Sequence, residues 1–188
     1  MGSRKLVIAV SGQPASGKTT YARYLAETYG LRYVSSGRLF REYARRLGVS
    51  LLELHRIAET DPSIDRGVDS KAVEEAKRGK AVIEGHLAAW VVGDLAHLKI
   101  FFKAPLEVRI ARAARRDGVP LERAKEEITS REESNFKRAR EYYGIDLRDW
   151  AIFDLVVDTS KIGVEGVERV LKTFVDEFLA RHPELLDG

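Results

Sequence analysis

The chain has no cysteine among its 188 residues. That excludes a disulfide frame and a thiolate metal site, and it fits a cytoplasmic protein. It has one asparagine, Asn135, and one glutamine, Gln13, against 32% charged residues. Many ions with few thermolabile amides is a thermophile-like composition. No run approaches the roughly 18 to 20 apolar residues of a membrane span. No signal peptide is expected, since LVIAV is short and leads into a polar loop. Met1–Ser3 are given no role. His55, His86, His97 and His182 are dispersed, without ligand spacing for a metal. No Ser/His/Asp or Cys/His arrangement points to a hydrolase.

What is present suggests one domain. Apolar residues make up 44%, enough for a single core, and the net charge of +3 is too small to argue for nucleic acid. Buried-looking strands are expected at Leu6–Val10, Arg32–Ser35, Ala81–Glu84, Leu98–Lys103 and Leu155–Asp158. Helical patterns cover Thr19–Tyr29, Ser36–Leu47, Leu51–Thr60, Pro62–Arg78, Pro105–Asp117 and Val164–Arg181. A long polar helix, open to interruption, covers Leu121–Tyr142. Strands alternating with helices predict an α/β fold with a parallel sheet. Two insertions stand out, a helical block over 36–78 and an arginine-rich segment over 109–140, both candidates for mobile flaps. Trp90 and Trp150 read as core or interface anchors.

The segment Gly12-Gln13-Pro14-Ala15-Ser16-Gly17-Lys18-Thr19 matches G-x-x-x-x-G-K-[ST] at every fixed position. Glycines let the backbone curl so that successive N–H groups face inward, and the following helix adds its positive end. Lys18 supplies a point charge to the β- and γ-phosphates, and the Thr19 hydroxyl can ligate Mg²⁺. The ATP-binding set is therefore Gly12 to Thr20. A signalling GTPase would need an Asn-Lys-x-Asp stretch, which Ser134-Asn135-Phe136-Lys137 does not provide. A small kinase remains. Beyond the second strand, Ser36 can cap a helix, and Arg41 can grip a phosphate with its bidentate fork or stand as a surface arginine.

At these positions the chain resembles a known family. YVSSGRLFRE, AETDPSIDRGVD, VIEGHLAAW and SREESNFKRAREYYGIDLRDWAIFDLVVDTS together resemble archaeal cytidylate kinases, which are P-loop nucleoside monophosphate kinases. The resemblance runs from Leu6 to about Leu179. It implies a three-layer α/β/α P-loop fold with a five-stranded parallel sheet, a nucleotide-binding insertion and a lid. It implies transfer of the ATP γ-phosphoryl group to CMP or dCMP with Mg²⁺, by a monomer with no nucleic-acid or membrane partner.

Residue by residue, the resemblance implies that Arg41 grips the acceptor phosphate and that Ser36, Asp65 and Asp69 lie along the acceptor pocket. Cytosine offers an N4 donor that either aspartate could accept, although helix caps or ion pairs explain them too. Arg112 and Arg116 would reach the donor, and Arg131 and Arg138 would bracket the transferred group, stabilising charge and excluding water. A solvated helix with ion pairs to Glu122, Glu126 and Glu132 is the alternative for these arginines, and Arg109 and Arg115 read as surface charges. Glu84 would approach Mg²⁺ through water. His86 stands where related sequences commonly carry an arginine for the acceptor phosphate, and Asn135 where they carry an acid. Other acceptors (AMP, UMP, a shikimate-like polyol) stay open. So does a nucleotide-dependent RNA-binding module, although arginines without interleaved aromatics make a poor stacking platform.

Overall fold

The computed structural model describes residues 6–185, so both ends of the expected 1–188 domain, including Met1–Ser3, lie outside the described residues. Five strands form one parallel sheet: β1 (Val7–Gly12), β2 (Arg32–Ser35), β3 (Ala81–Glu84), β4 (Leu98–Lys103) and β5 (Leu155–Asp158), in the order β2-β3-β1-β4-β5. Among the described residues, eight α-helices accompany them: α1 (Lys18–Thr28), α2 (Ser36–Leu47), α3 (Leu51–Ala58), α4 (Pro62–Lys77), α5 (Ala88–Val92), α6 (Leu106–Asp117), α7 (Leu121–Tyr143) and α8 (Val164–Arg181).

The inner strands β1 and β3 are buried on both faces because helices cover both. Ile8 and Val10 point into a core with Leu25, Ile100, Phe102, Leu171 and Val175, on the side of α1 and α8. Val7 and Ala9 point the other way, in a cluster with Ile83 of β3, Ala76 of α4 and Ala89 and Val92 of α5. The result is the expected three-layer α/β/α fold. β1 lies between β3 and β4, so the loop after it opens at the point where the strand order reverses, the usual ligand crevice of such sheets.

The insertion α2–α4 has a core of its own, built from Phe40, Ala44, Leu54, Ala58, Ile64 and Val68. Its helices are fixed locally. Ser50 and Glu53 form a capping box on α3, and Asp61 caps α4 with Pro62 behind it. Ser35, not Ser36, caps α2, accepting from Arg38 N at 3.3 Å. Ser36 is the first helical residue, because the extended backbone that a cap requires ends one residue earlier. Helix α7 runs unbroken for 23 residues. Its buried Ala124, Ile128, Asn135, Arg138 and Ala139 recur at helical spacing, so one face is packed throughout. Helix α5 was not anticipated. It has five residues, too short to show a period.

Candidate active site

The loop between β1 and α1 is held open by close approaches. Gly12 has φ 149°, and a Cβ there would meet the Phe102 carbonyl oxygen at 2.2 Å. Gly17 has φ 97°, with the Tyr21 ring where a Cβ would go. Both positions therefore need glycine. Gln13 ties the loop to β4, accepting from Ala104 N through Oε1 at 3.1 Å. Ser16 Oγ is buried without a hydrogen-bond partner, and no side chain caps α1. The first-turn N–H groups of α1 and the Ser16 hydroxyl are the donors a phosphate would take.

Lys18 Nζ rests on the Gln13 carbonyl at 2.8 Å. Burial lowers its pKa to about 8, with Arg131 and Arg109 acting in the same direction and Glu84 opposing them. Thr19 and Thr20 are exposed at the helix start. Glu84 closes β3, where its Oε2 accepts from Tyr33 Oη and Ser35 Oγ, each at 2.8 Å. A carboxylate has further lone pairs, so Oε1 is left to accept from water or a metal-bound water. The Thr19 hydroxyl and the Glu84 carboxylate fit the oxygen-donor preference of Mg²⁺, which keeps most of its ligands as water and substrate phosphate.

Arginines converge above this loop. Arg131 lies half-buried on α7, with its Nε unpartnered. Burial and the positive charges of Arg116 and Arg41 hold it below the usual arginine range. Arg41 lies on the exposed side of α2, and its charge reaches Arg131. Like charges this close repel one another, so the cluster is poised for an anion. Gly85 permits a further approach, since a Cβ there would meet Ser36 Oγ at 2.9 Å.

The other arginines are more committed. Arg116 pairs with Asp117 at 2.6 Å. Arg112 donates to both oxygens of Thr159 at 2.8 Å, and Thr159 Oγ1 donates to Ser16 O at 2.8 Å. Thr159 is thus a loop-supporting residue the sequence did not single out; only its place just beyond a strand end could have flagged it. Arg109 corrects the sequence reading. It is no surface charge but 4% exposed, bonded to the Ala104 carbonyl and paired with Glu132 of α7 at 2.9 and 3.2 Å. Glu132 therefore bridges helices instead of lining a solvated face.

Arg138 lies deepest, 1% exposed. It is paired with Asp65 of α4, donates to Asn135 Oδ1 at 2.9 Å and contacts His55 Nδ1 of α3 at 3.1 Å. Burial lowers the His55 pKa to about 3, aided by the Arg138 charge. Asp65 Oδ2 has no partner, and burial outweighs Arg138 in raising its pKa. Asp69 accepts from Tyr143 Oη, and burial raises its pKa to about 6. His86 is held well below the usual histidine range, first by burial and then by Arg138, Lys18, His55 and Arg131. It is a neutral imidazole, with Nε2 buried and unpartnered.

A strand, a glycine-shaped phosphate cradle, a lysine and a canopy of arginines define a P-loop kinase of the three-layer α/β/α class. Known proteins make the assignment narrower. Residues 7–161 match the cytidylate kinase-like family, and the chain belongs to it. It is 53% identical over 173 residues to the cytidylate kinase of Desulfurococcus amylolyticus, covering 92% of this chain and 94% of that one. It is 49% identical over 174 residues to the cytidylate kinase of Staphylothermus marinus, covering 93% and 98%. Among solved structures, shikimate kinase from Acinetobacter baumannii in complex with shikimate aligns with a TM-score of 0.58 at 16% identity, covering 93% and 95%; that likeness concerns the fold alone.

Proposed function

We propose that the protein transfers the γ-phosphoryl group of ATP to CMP or dCMP, giving ADP and CDP or dCDP. The observation that carries the phosphoryl-transfer reading is the meeting of Lys18, Arg41 and Arg131 over a loop whose Ser16 hydroxyl has no partner. The cytidine nucleotide as acceptor is supported by the relatives, which are named cytidylate kinases. The same reading takes Mg²⁺ as cofactor and a monomer in the cytoplasm. No described helix is long and apolar enough to cross a membrane.

In this mechanism the loop from Gly12 to Thr20 binds the ATP phosphates through its backbone. Thr19, and Glu84 through water, would hold Mg²⁺, which would supply charge neutralisation to the donor phosphates. Arg41 holds the acceptor phosphate. One of its oxygens, already ionised, attacks the γ-phosphorus in line and needs no general base. The new P–O bond forms as the bond to the β–γ bridging oxygen breaks, and the electron pair leaves with ADP. Lys18 and Arg131 stabilise the equatorial charge. Arg116, freed from Asp117, and Arg112 add to the donor side. Arg138 contributes by fixing α7, and so Arg131, against α3 and α4.

The test is ADP release with ATP–Mg²⁺ against CMP, dCMP, UMP, AMP, GMP and shikimate, with a no-acceptor control. Preference for CMP and dCMP supports the reading. Preference for another acceptor overturns the cytidine assignment and leaves the kinase. Salt-dependent RNA binding without turnover would replace both.

A further inference from the structure

Two residues far from the phosphate-loop motif hold its carbonyls. Thr159, 2% exposed just beyond β5, donates its hydroxyl to Ser16 O at 2.8 Å. Arg109 of α6 reaches Pro14 O at a longer 3.4 Å. The direction of the Thr159 hydroxyl follows from its neighbours. Arg112 Nη1 donates to the same oxygen at 2.8 Å, and a guanidinium has no acceptor, so the single hydroxyl hydrogen is not spent there. It goes to Ser16 O at 2.8 Å in preference to Lys103 O at 3.3 Å. A charged donor on a hydroxyl polarises it and strengthens the bond it gives. Thr159 is itself fixed on both sides. Its N–H donates to Lys103 O at 3.0 Å, and its carbonyl accepts from Arg112 Nη2 at 2.8 Å.

Holding a carbonyl also sets an N–H. A trans peptide unit is planar, and its carbonyl and N–H point in opposite directions. Tying Ser16 C=O toward the end of β5 therefore turns Gly17 N–H away from β5. Tying Pro14 C=O toward α6 does the same for Ala15 N–H. Ala15 and Gly17 have positive φ, 59° and 97°. A non-glycine residue keeps such a conformation only when its surroundings impose it. Ser16 N, between them, turns back to Gln13 O at 3.2 Å, while Ala15 N and Gly17 N make no such backbone bond. N–H groups turned away from their supports in this way are what a phosphate takes.

We propose that Thr159 is a positioning residue for the phosphoryl donor: its hydroxyl, oriented by Arg112, sets the Ser16–Gly17 peptide so that Gly17 N–H meets the donor phosphate. This rests on the phosphoryl-transfer reading and deepens it. Part of the donor affinity is assigned to a residue 143 positions from Ser16 in sequence, and Arg112 acts on the donor from behind the loop, through Thr159. The acceptor side is untouched, because neither Thr159 nor Arg112 bonds to the insertion α2–α4.

The experiment compares Thr159→Val, which loses the hydroxyl, with Thr159→Ser, which keeps it and loses the methyl. Calorimetry on the full chain without acceptor gives the affinity for ATP and for inorganic tripolyphosphate, which has no base or sugar and so reads the cradle alone. The KM values for ATP and CMP and the melting temperature are measured beside it. Thr159→Val should weaken ATP and tripolyphosphate alike, roughly tenfold, and leave the KM for CMP unchanged. Thr159→Ser should restore both affinities. Thr159→Ala, which places no methyl against the Ser16 carbonyl, takes the place of Thr159→Val if that variant does not fold, with the same result expected. Unchanged tripolyphosphate affinity without the hydroxyl, or a loss that Thr159→Ser does not restore, would overturn the positioning role and leave the kinase intact. So would equal losses for ATP and CMP with a lowered melting temperature, the mark of a packing residue. A parent that binds neither ATP nor tripolyphosphate and turns over no CMP would overturn the kinase reading first, and the role of Thr159 with it.

Discussion

Replacing Arg138 by Met tests whether helix α7 is tied to the insertion by charge. The pair it forms with Asp65 is 73 residues apart in sequence, with side chains 1% and 7% exposed. Solvent screening is therefore small. Removing the guanidinium strands a buried carboxylate and leaves His55 Nδ1 and Asn135 Oδ1 without their donor. A broken buried pair of this kind costs about 3–5 kcal/mol. At about 2–4 °C per kcal/mol for a chain of this size, the melting temperature should fall by roughly 6–20 °C. The assay is urea unfolding at pH 7 for the parent, Arg138→Met, Asp65→Leu and the double variant.

The double variant should be more stable than the single Arg138→Met, because two apolar groups leave no buried charge. The penalty should also depend on pH. Burial already raises the Asp65 pKa, and losing Arg138 removes the main opposing effect. The stranded carboxylate takes up a proton as pH falls through its folded pKa, so the stability gap to the parent should narrow in acid. A cost below about 1 kcal/mol, or a double variant worse than the two singles combined, would refute the anchoring argument.

Four further outcomes follow from the same geometry. Lys18→Ala should abolish turnover with an unchanged melting curve. In the parent, ATP binding at pH 8 should take up about half a proton, because the free lysine has a pKa of about 8 and phosphate restores its charge; calorimetry in buffers of different ionisation enthalpy reads this, and no uptake would place the perturbed group elsewhere. Gly12→Ala should lose at least about 2 kcal/mol and most ATP affinity, since strain at φ 149° adds to a Cβ 2.2 Å from a carbonyl oxygen; near-wild-type unfolding would refute the tight approach. His55 has a folded pKa of about 3, below its unfolded value of 6.5, so its contribution is intact above pH 6.5 and is lost as pH falls toward 3. His55→Gln should therefore flatten the pH dependence of stability between pH 6.5 and 4, as measured by chemical denaturation.

Much of this protein was legible in its sequence because it is local. The strands at 32–35, 81–84, 98–103 and 155–158 and the helices at 36–47 and 164–181 end where the residue pattern ends. The phosphate loop is a contiguous motif, and its glycines announce the backbone they permit. What the sequence could not express is pairing at a distance. Arg109 reads as one more arginine on a charged helix, and only the packing of α6 against α7 buries it with Glu132. Arg138 and Asp65 look like a lid residue and a pocket residue until α7 lies on α4. Trp90 and Trp150 look like core anchors, and only the strand order brings them to one recess beside the phosphate loop. Local chemistry fixes where a phosphate binds. Which charges are cancelled, and which aromatic faces are left open, is decided by desolvation, and desolvation exists only once distant segments have packed together.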